Sequence, residues 1–159
     1  MSPSRLLAVL AFVLTTLGCA TAATAGEADS ASAGSQTELS AADKICMAKM
    51  VMHEAGNQSK LGQMAVAQVV LNRLATGRFG RTVCAVIDQP GQFFKVASYR
   101  PSMTSLQWRM AQAVAETALD AENRAVVAGA LFFNVTRARA AWRGRRVLLA
   151  EIGDHSFYR

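Results

Sequence analysis

One carboxylate in this chain sits inside an apolar run. Glu54 lies near the end of Met47–Ala55, a stretch otherwise interrupted only by Lys49 and His53. If that stretch is a helix, its last turn strips water from the carboxylate and sets it near the negative end of the helix dipole. Both effects favour the protonated form, which is what a general acid working near neutral pH requires. An ordinary solvent-facing glutamate on a last turn is the competing reading, and the residue types alone leave it open. The neighbouring His53 invites a zinc site, but the His-Glu-x-x-His spacing that aims two imidazoles at one ion is broken by Asn57. His155 is the only other histidine, and Cys46 and Cys84 lack ligand spacing, so no metal is expected. There is no Gly-x-Ser-x-Gly elbow and no phosphate-binding glycine loop either, and no cofactor is expected.

Hydrolysis by two carboxylates needs an acid and a partner across the scissile bond. The other acids that fall near recognisable motifs are Asp88 and Asp154, which read as a turn residue and a strand-end residue. A mechanism with a single acid fits better.

The elements that must position Glu54 are legible from caps and periodicity. Ser40 caps a helix over Ala41–Ala55, with Ile45, Cys46, Ala48 and Met52 at helical intervals, and Gly56 stands at the stop. Ser59 caps a second helix from Lys60 to Leu74, with Leu61, Met64, Ala65, Ala67, Gln68 and Leu71 along one face. A short helix or turn follows over Thr82–Ile87, and Phe93–Ser98 has no clear period. Thr104–Leu119 reads as a third long helix, with Leu106, Met110, Ala113, Val114, Thr117 and Ala118 on one side. After Gly129 the period becomes that of strands, over Ala130–Val135, Arg146–Ile152 and Ser156–Tyr158. Helices first and a small antiparallel sheet later define an α+β fold.

The chain of 159 residues suits one domain. Residues 1–25 read as a secretory signal peptide: Arg5, an apolar run over Leu6–Gly18 broken only by Thr15 and Thr16, then small residues with a cleavage site after Ala25. That run is shorter than the about 20 residues a membrane-spanning helix needs. Leu17-Gly18-Cys19 offers a rival, a lipoprotein site that would anchor the chain through Cys19. Residues 26–40 are rich in Ala, Ser and Gly and read as a flexible linker, leaving 41–159 as the folded part. An exported chain lies in the periplasm or outside the cell, where disulfides persist. Cys46 and Cys84 are then candidates for one bridge, the alternative being two buried thiols.

The net charge of +6 drops by only one unit if Arg5 is removed with the signal. Arg137, Arg139, Arg143, Arg145 and Arg146 crowd together. In an exported protein such a cluster suits anionic envelope polymers, including peptidoglycan carboxylates, rather than nucleic acid; a solvated face is the plain alternative.

Several blocks, in order, carry a resemblance. They are Met52-His53-Glu54-Ala55-Gly56, Gly62 to Arg73, Thr82 to Ile87, Gln89-Pro90-Gly91-Gln92-Phe93, Gly129 to Asn134, and Ile152 to Arg159. Together they resemble the SleB/CwlJ-type cell wall hydrolases. The resemblance implies a lysozyme-like, lytic-transglycosylase-like fold, peptidoglycan glycan strands as substrate, and Glu54 as the catalytic acid. It departs from the family in two places. Gly56-Asn57 replaces the usual Arg-Gly, and Gly91 and Val96–Tyr99 stand where many relatives carry cysteines. Substrate contacts are then expected from Gln92 and Asn134, as hydrogen-bonding partners of N-acetyl groups, and from Phe93, Trp142 and Tyr158, as stacking faces for sugars. Core packing is the other reading of each. A non-catalytic peptidoglycan-binding module and a hydrolase of the peptide part are the rival functions, the latter lacking a Cys/His pair or zinc. Any regulatory envelope partner is left unidentified.

Overall fold

The structure, a computed structural model, describes residues 40–120 and 125–159. The expected signal peptide (1–25) and all of the expected linker (26–40) except Ser40 lie outside the described residues. Four α-helices precede three strands: α1 (Ala41–Ala55), α2 (Lys60–Thr76), α3 (Val83–Ile87), α4 (Leu106–Leu119), β1 (Phe132–Val135), β2 (Leu148–Ile152) and β3 (His155–Tyr158). A single 3-10 turn, Arg143–Arg145, interrupts the connection between β1 and β2.

The helix starts follow from short polar side chains. Ser40, Ser59, Thr82 and Ser105 each accept a hydrogen bond from the backbone N–H three residues on, satisfying a donor that the helix itself leaves free. Gly56 ends α1 in a helical conformation, and a Cβ there would lie 2.5 Å from the carbonyl oxygen of Met52. Glycine at this stop therefore serves close approach rather than a left-handed turn.

The faces of the helices differ from those read by periodicity. Leu61 is 55% exposed, and α2 is instead buried almost all round, through Gly62–Ala67, Val69, Val70 and Arg73. On α4 the inward side is Trp108, Ala111, Val114, Ala115 and Ala118, while Leu106 and Met110 face solvent. The physical reason is close packing. A stripe of alanines lets helix axes approach, and α1 meets α4 along such a stripe. The Cys46–Cys84 disulfide joins α1 to α3, with Cα atoms 5.3 Å apart. Asp43 reinforces the same junction from a buried position, its Oδ1 accepting from the Cys84 N–H at 3.1 Å.

The sheet order is β1-β3-β2, antiparallel throughout. The register sets Phe133 opposite Phe157 and Asn134 opposite Ser156, and a bulge falls between Leu148 and Ala150 on β2. All four residues of β3 are buried. The ring of Phe157 belongs to the core, while Arg143 closes over the other face of β3. The Arg143 guanidinium donates to the carbonyls of Thr136 at 2.7 Å and Ala138 at 2.8 Å, and its Nε donates to the Tyr158 hydroxyl.

Candidate active site

The α2 residues Asn72 and Arg73 fix where the sheet begins. Asn72 Nδ2 donates to the carbonyls of Val127 at 3.0 Å and Ala130 at 2.9 Å, and Arg73 Nε donates to Leu131 at 2.7 Å. Two adjacent side chains thus hold the chain as it enters β1, and β1 presents Phe132, Phe133 and Asn134 to an open groove of about 370 Å³. The opposite wall comes from the turn carrying Gly91, Gln92 and Phe93, and the far side from Trp142 and Arg146. Phe93 stacks on Phe133 with centroids 5.9 Å apart, so the two walls meet at one aromatic contact. Aromatic faces interspersed with side-chain amides suit a sugar, whose rings stack and whose N-acetyl groups hydrogen-bond.

Four residues anticipated as substrate contacts, Gln92, Phe93, Asn134 and Trp142, line this groove together. Tyr158 does not. It is buried, its ring meets Trp142 edge-on at 5.3 Å, and its hydroxyl accepts from Arg143. It braces the wall from behind and has no free face for stacking.

Glu54 ends α1 with 23% of its side-chain surface exposed, so its desolvation is partial. Its Oε1 lies 2.9 Å from His53 Nδ1. His53 is itself held, stacked on Phe94 at 4.1 Å and meeting Tyr99 edge-on at 5.0 Å. Glu54 is not among the groove-lining residues, but one step links them. Phe133, in the groove wall, meets the ring of His155 edge-on at 5.4 Å, and the charge of Glu54 is felt at His155. Burial pushes the His155 imidazole below its ordinary pKa, against the opposing pull of Glu54 and then Asp154. At neutral pH it is therefore an uncharged ring beside the carboxylate.

The two other acids take the plain roles. Asp88 Oδ1 accepts from the Val96 N–H at 2.9 Å, closing the turn before the groove. Asp154 sits in the β2–β3 turn and pairs with Gln58. Among the described residues no group of three or more His, Cys, Asp or Glu side chains is placed to hold a metal ion, and no helix is long and apolar enough to cross a membrane.

Sequence reasoning passed over Arg73 and Arg146 as site residues. Arg73 is 3% exposed, with its guanidinium over the rings of Phe93 at 4.7 Å, Phe79 at 4.9 Å and Phe132 at 5.5 Å. Its position in the helical run Val69–Leu74, apolar apart from Asn72 and Arg73, was the available signal, an arginine where a core residue would be expected. Arg146 lies 3.3 Å above the Phe132 ring centroid.

A helical body with a small three-stranded sheet and an acid at the end of its first helix is a lysozyme-like, lytic-transglycosylase type of fold. Comparison with solved structures agrees. The catalytic domain of the germination-specific lytic transglycosylase SleB from Bacillus anthracis superposes with a TM-score of 0.66 at 30% identity, covering 77% of this chain and 98% of that one. The Cell Wall Hydrolase family model matches residues 57–158, beginning three residues after Glu54. The spore cortex-lytic enzyme of Bacillus cereus is 34% identical over 113 residues, which are 70% of this chain and 42% of that protein. That of Bacillus subtilis is 31% identical over 141 residues, 86% of this chain and 44% of that protein. The chain thus spans less than half the length of these curated relatives. It belongs to the SleB/CwlJ-type cell wall hydrolase family.

Proposed function

We propose that this chain cleaves the glycan strands of peptidoglycan between N-acetylmuramic acid and N-acetylglucosamine, as a lytic transglycosylase with Glu54 as its one catalytic acid. The observation that carries the reading is the position of Glu54. It is partly exposed on the last turn of α1 and hydrogen-bonded to His53, and its charge is felt at His155, whose ring meets Phe133 of the groove wall. The likeness to the catalytic domain of a lytic transglycosylase supports it.

In this mechanism protonated Glu54 gives its proton to the glycosidic oxygen as the bond from that oxygen to C1 of the muramyl residue breaks. The carboxylate so formed then takes the proton of the same residue's 6-hydroxyl while O6 bonds to C1. A 1,6-anhydro ring closes, and Glu54 is again protonated. Proton and electron counts balance without water, metal or cofactor. Mass spectrometry of fragments from defined strands tests the reading. Anhydro ends support it, and reducing ends would mean that water is the nucleophile.

The reading also places the protein outside the cytoplasm, with the mature chain beginning near Gly26. N-terminal sequencing of the processed protein checks this, and a start at a lipidated Cys19 would replace it.

A further inference from the structure

The groove holds two guanidinium groups, and among the described residues no carboxylate forms an ion pair with either. Buried charges in folded proteins are ordinarily paired. Here Arg73 is buried with its Nη1 unpartnered, and Arg146 makes no side-chain hydrogen bond to the described residues, its buried Nε included. Burial and then the proximity of Arg146 push the Arg73 pKa down to about 10, which still leaves it charged at neutral pH. The aromatic rings compensate part of this cost through their negative faces. The Arg146 guanidinium carbon lies 3.3 Å from the Phe132 ring centroid and 5.4 Å from that of Trp142, and its fork makes no hydrogen bond to the described residues. The other polar groove side chains, Gln92 and Asn134, are neutral, so nothing in the lining repels an anion.

We infer that this groove is a carboxylate-binding subsite, in which Arg146 contacts and Arg73 supports by its field a carboxylate carried on the glycan strand. The planar fork of arginine matches a carboxylate's two oxygens. Two sources on a strand have that chemistry, the lactyl carboxylate of a peptide-free muramyl residue and a carboxylate of a stem peptide. The inference rests on the proposed reading of the substrate as peptidoglycan and narrows it to strands that carry free acid groups. The arginines of the 137–146 cluster divide accordingly. Arg137, Arg139 and Arg145 are exposed, Arg143 is committed to the fold, and Arg146 alone enters the groove.

The test is calorimetric binding to full-length Glu54→Gln protein, which does not consume its ligand. The probes are peptide-free strands with free lactyl carboxylates, stem-peptide strands, and each of these with its carboxylates converted to amides. A charge-assisted hydrogen bond corresponds to roughly 10- to 100-fold in affinity, so at least one charged strand should bind about that much more tightly than its amide form. Added salt should shrink the difference. Preference in the first pair assigns the lactyl group, and preference in the second assigns the peptide. Adding Arg146→Gln should remove the preference, so that charged and amidated strands bind alike. Equal affinity for charged and amidated forms in both pairs would overturn the inference, and that comparison needs no arginine variant. Equal weakening of charged and neutral strands by Arg146→Gln would likewise reduce Arg146 to a stacking role. Cleavage by wild-type protein is scored separately. Preference without cleavage keeps this subsite and removes the enzymatic reading, whereas cleavage without preference does the reverse.

Discussion

The side-chain amide of Gln58 donates to Asp154 Oδ2 at 3.1 Å and accepts from the Asp154 backbone N–H at 3.0 Å. Through this pair the turn after Glu54 is tied to the turn before His155, joining the acid's helix to the sheet that carries the groove. Gly153 completes the junction. Its φ is +57°, and a Cβ there would lie 2.3 Å from Gln58 Oε1. Gln58→Ala should cost on the order of 1–2 kcal/mol for two exposed hydrogen bonds. It should lower turnover more than strand affinity, since it loosens the acid relative to the groove and leaves the groove walls in place. Gly153→Ala should reproduce the kinetic defect. Melting temperature, kcat and KM measured on the same samples check both, and unchanged kcat in either variant counts against the coupling.

Glu54→Gln keeps the size and hydrogen-bonding reach of the side chain but has no proton to give. Cleavage should fall by about 100- to 10,000-fold, at or beyond the upper end if one group acts as both acid and base. Folding and strand binding should persist, because Glu54 holds no buried partner. Wild-type turnover in a well-folded variant would turn attention to Asp88 and Asp154.

Reduction of Cys46–Cys84 should be felt mainly as lost stability. The bridge spans a sequence separation of 38 residues, and the chain-entropy estimate gives roughly 3 to 4 kcal/mol. Paired Cys46→Ala and Cys84→Ala substitutions should therefore lower the melting temperature substantially and leave kcat of the folded fraction near its original value. A free-thiol count of two on denatured, unreduced mature protein, from which Cys19 has been removed with the signal, would show that the bridge does not form in the protein as isolated.

The depressed His155 gives a pH dependence of definite sign. A histidine whose folded pKa lies below its ordinary 6.5 binds fewer protons in the native state than in the unfolded one. Its destabilising effect is absent above that value and grows as pH falls below it, until the folded imidazole also titrates. Denaturant unfolding at successive pH values should thus show wild type losing stability below about pH 6.5 faster than His155→Gln. Parallel curves would mean that His155 does not control this loss.

Local chemistry carried much of the fold. Ser40 and Ser59 cap where their side chains said they would, β1 and β2 fall inside the expected spans, and β3 starts one residue before its own, at His155. What failed was the phase of the long helices. Leu106 and Met110 look inward by hydropathy, yet α4 turns Ala111, Ala115 and Ala118 to the core, because how near two axes approach is decided by the partner helix. The same limit applies at the site. Gln92, Phe93, Asn134 and Trp142 were nameable by type, and they do share one groove. Tyr158 looked equivalent, but the register opposite Phe132 and the arginine over its hydroxyl seal it. Arg73 and Arg146 meet only because β1 is pinned to α2 by Asn72, a relationship with no local signature.

The strand order carries a consequence for the timing of assembly. β3 is later in the chain than both of its neighbours, yet among the described residues it is the only strand either of them pairs with. Until residues 155–158 have emerged from whatever ribosome or translocation channel delivers them, β1 and β2 have no edge to join, and Phe157 is missing from the core. Phe132, Phe133 and Asn134 cannot take up their groove positions before then. The order of the sheet therefore sets the groove to form last, after the final strand has been delivered.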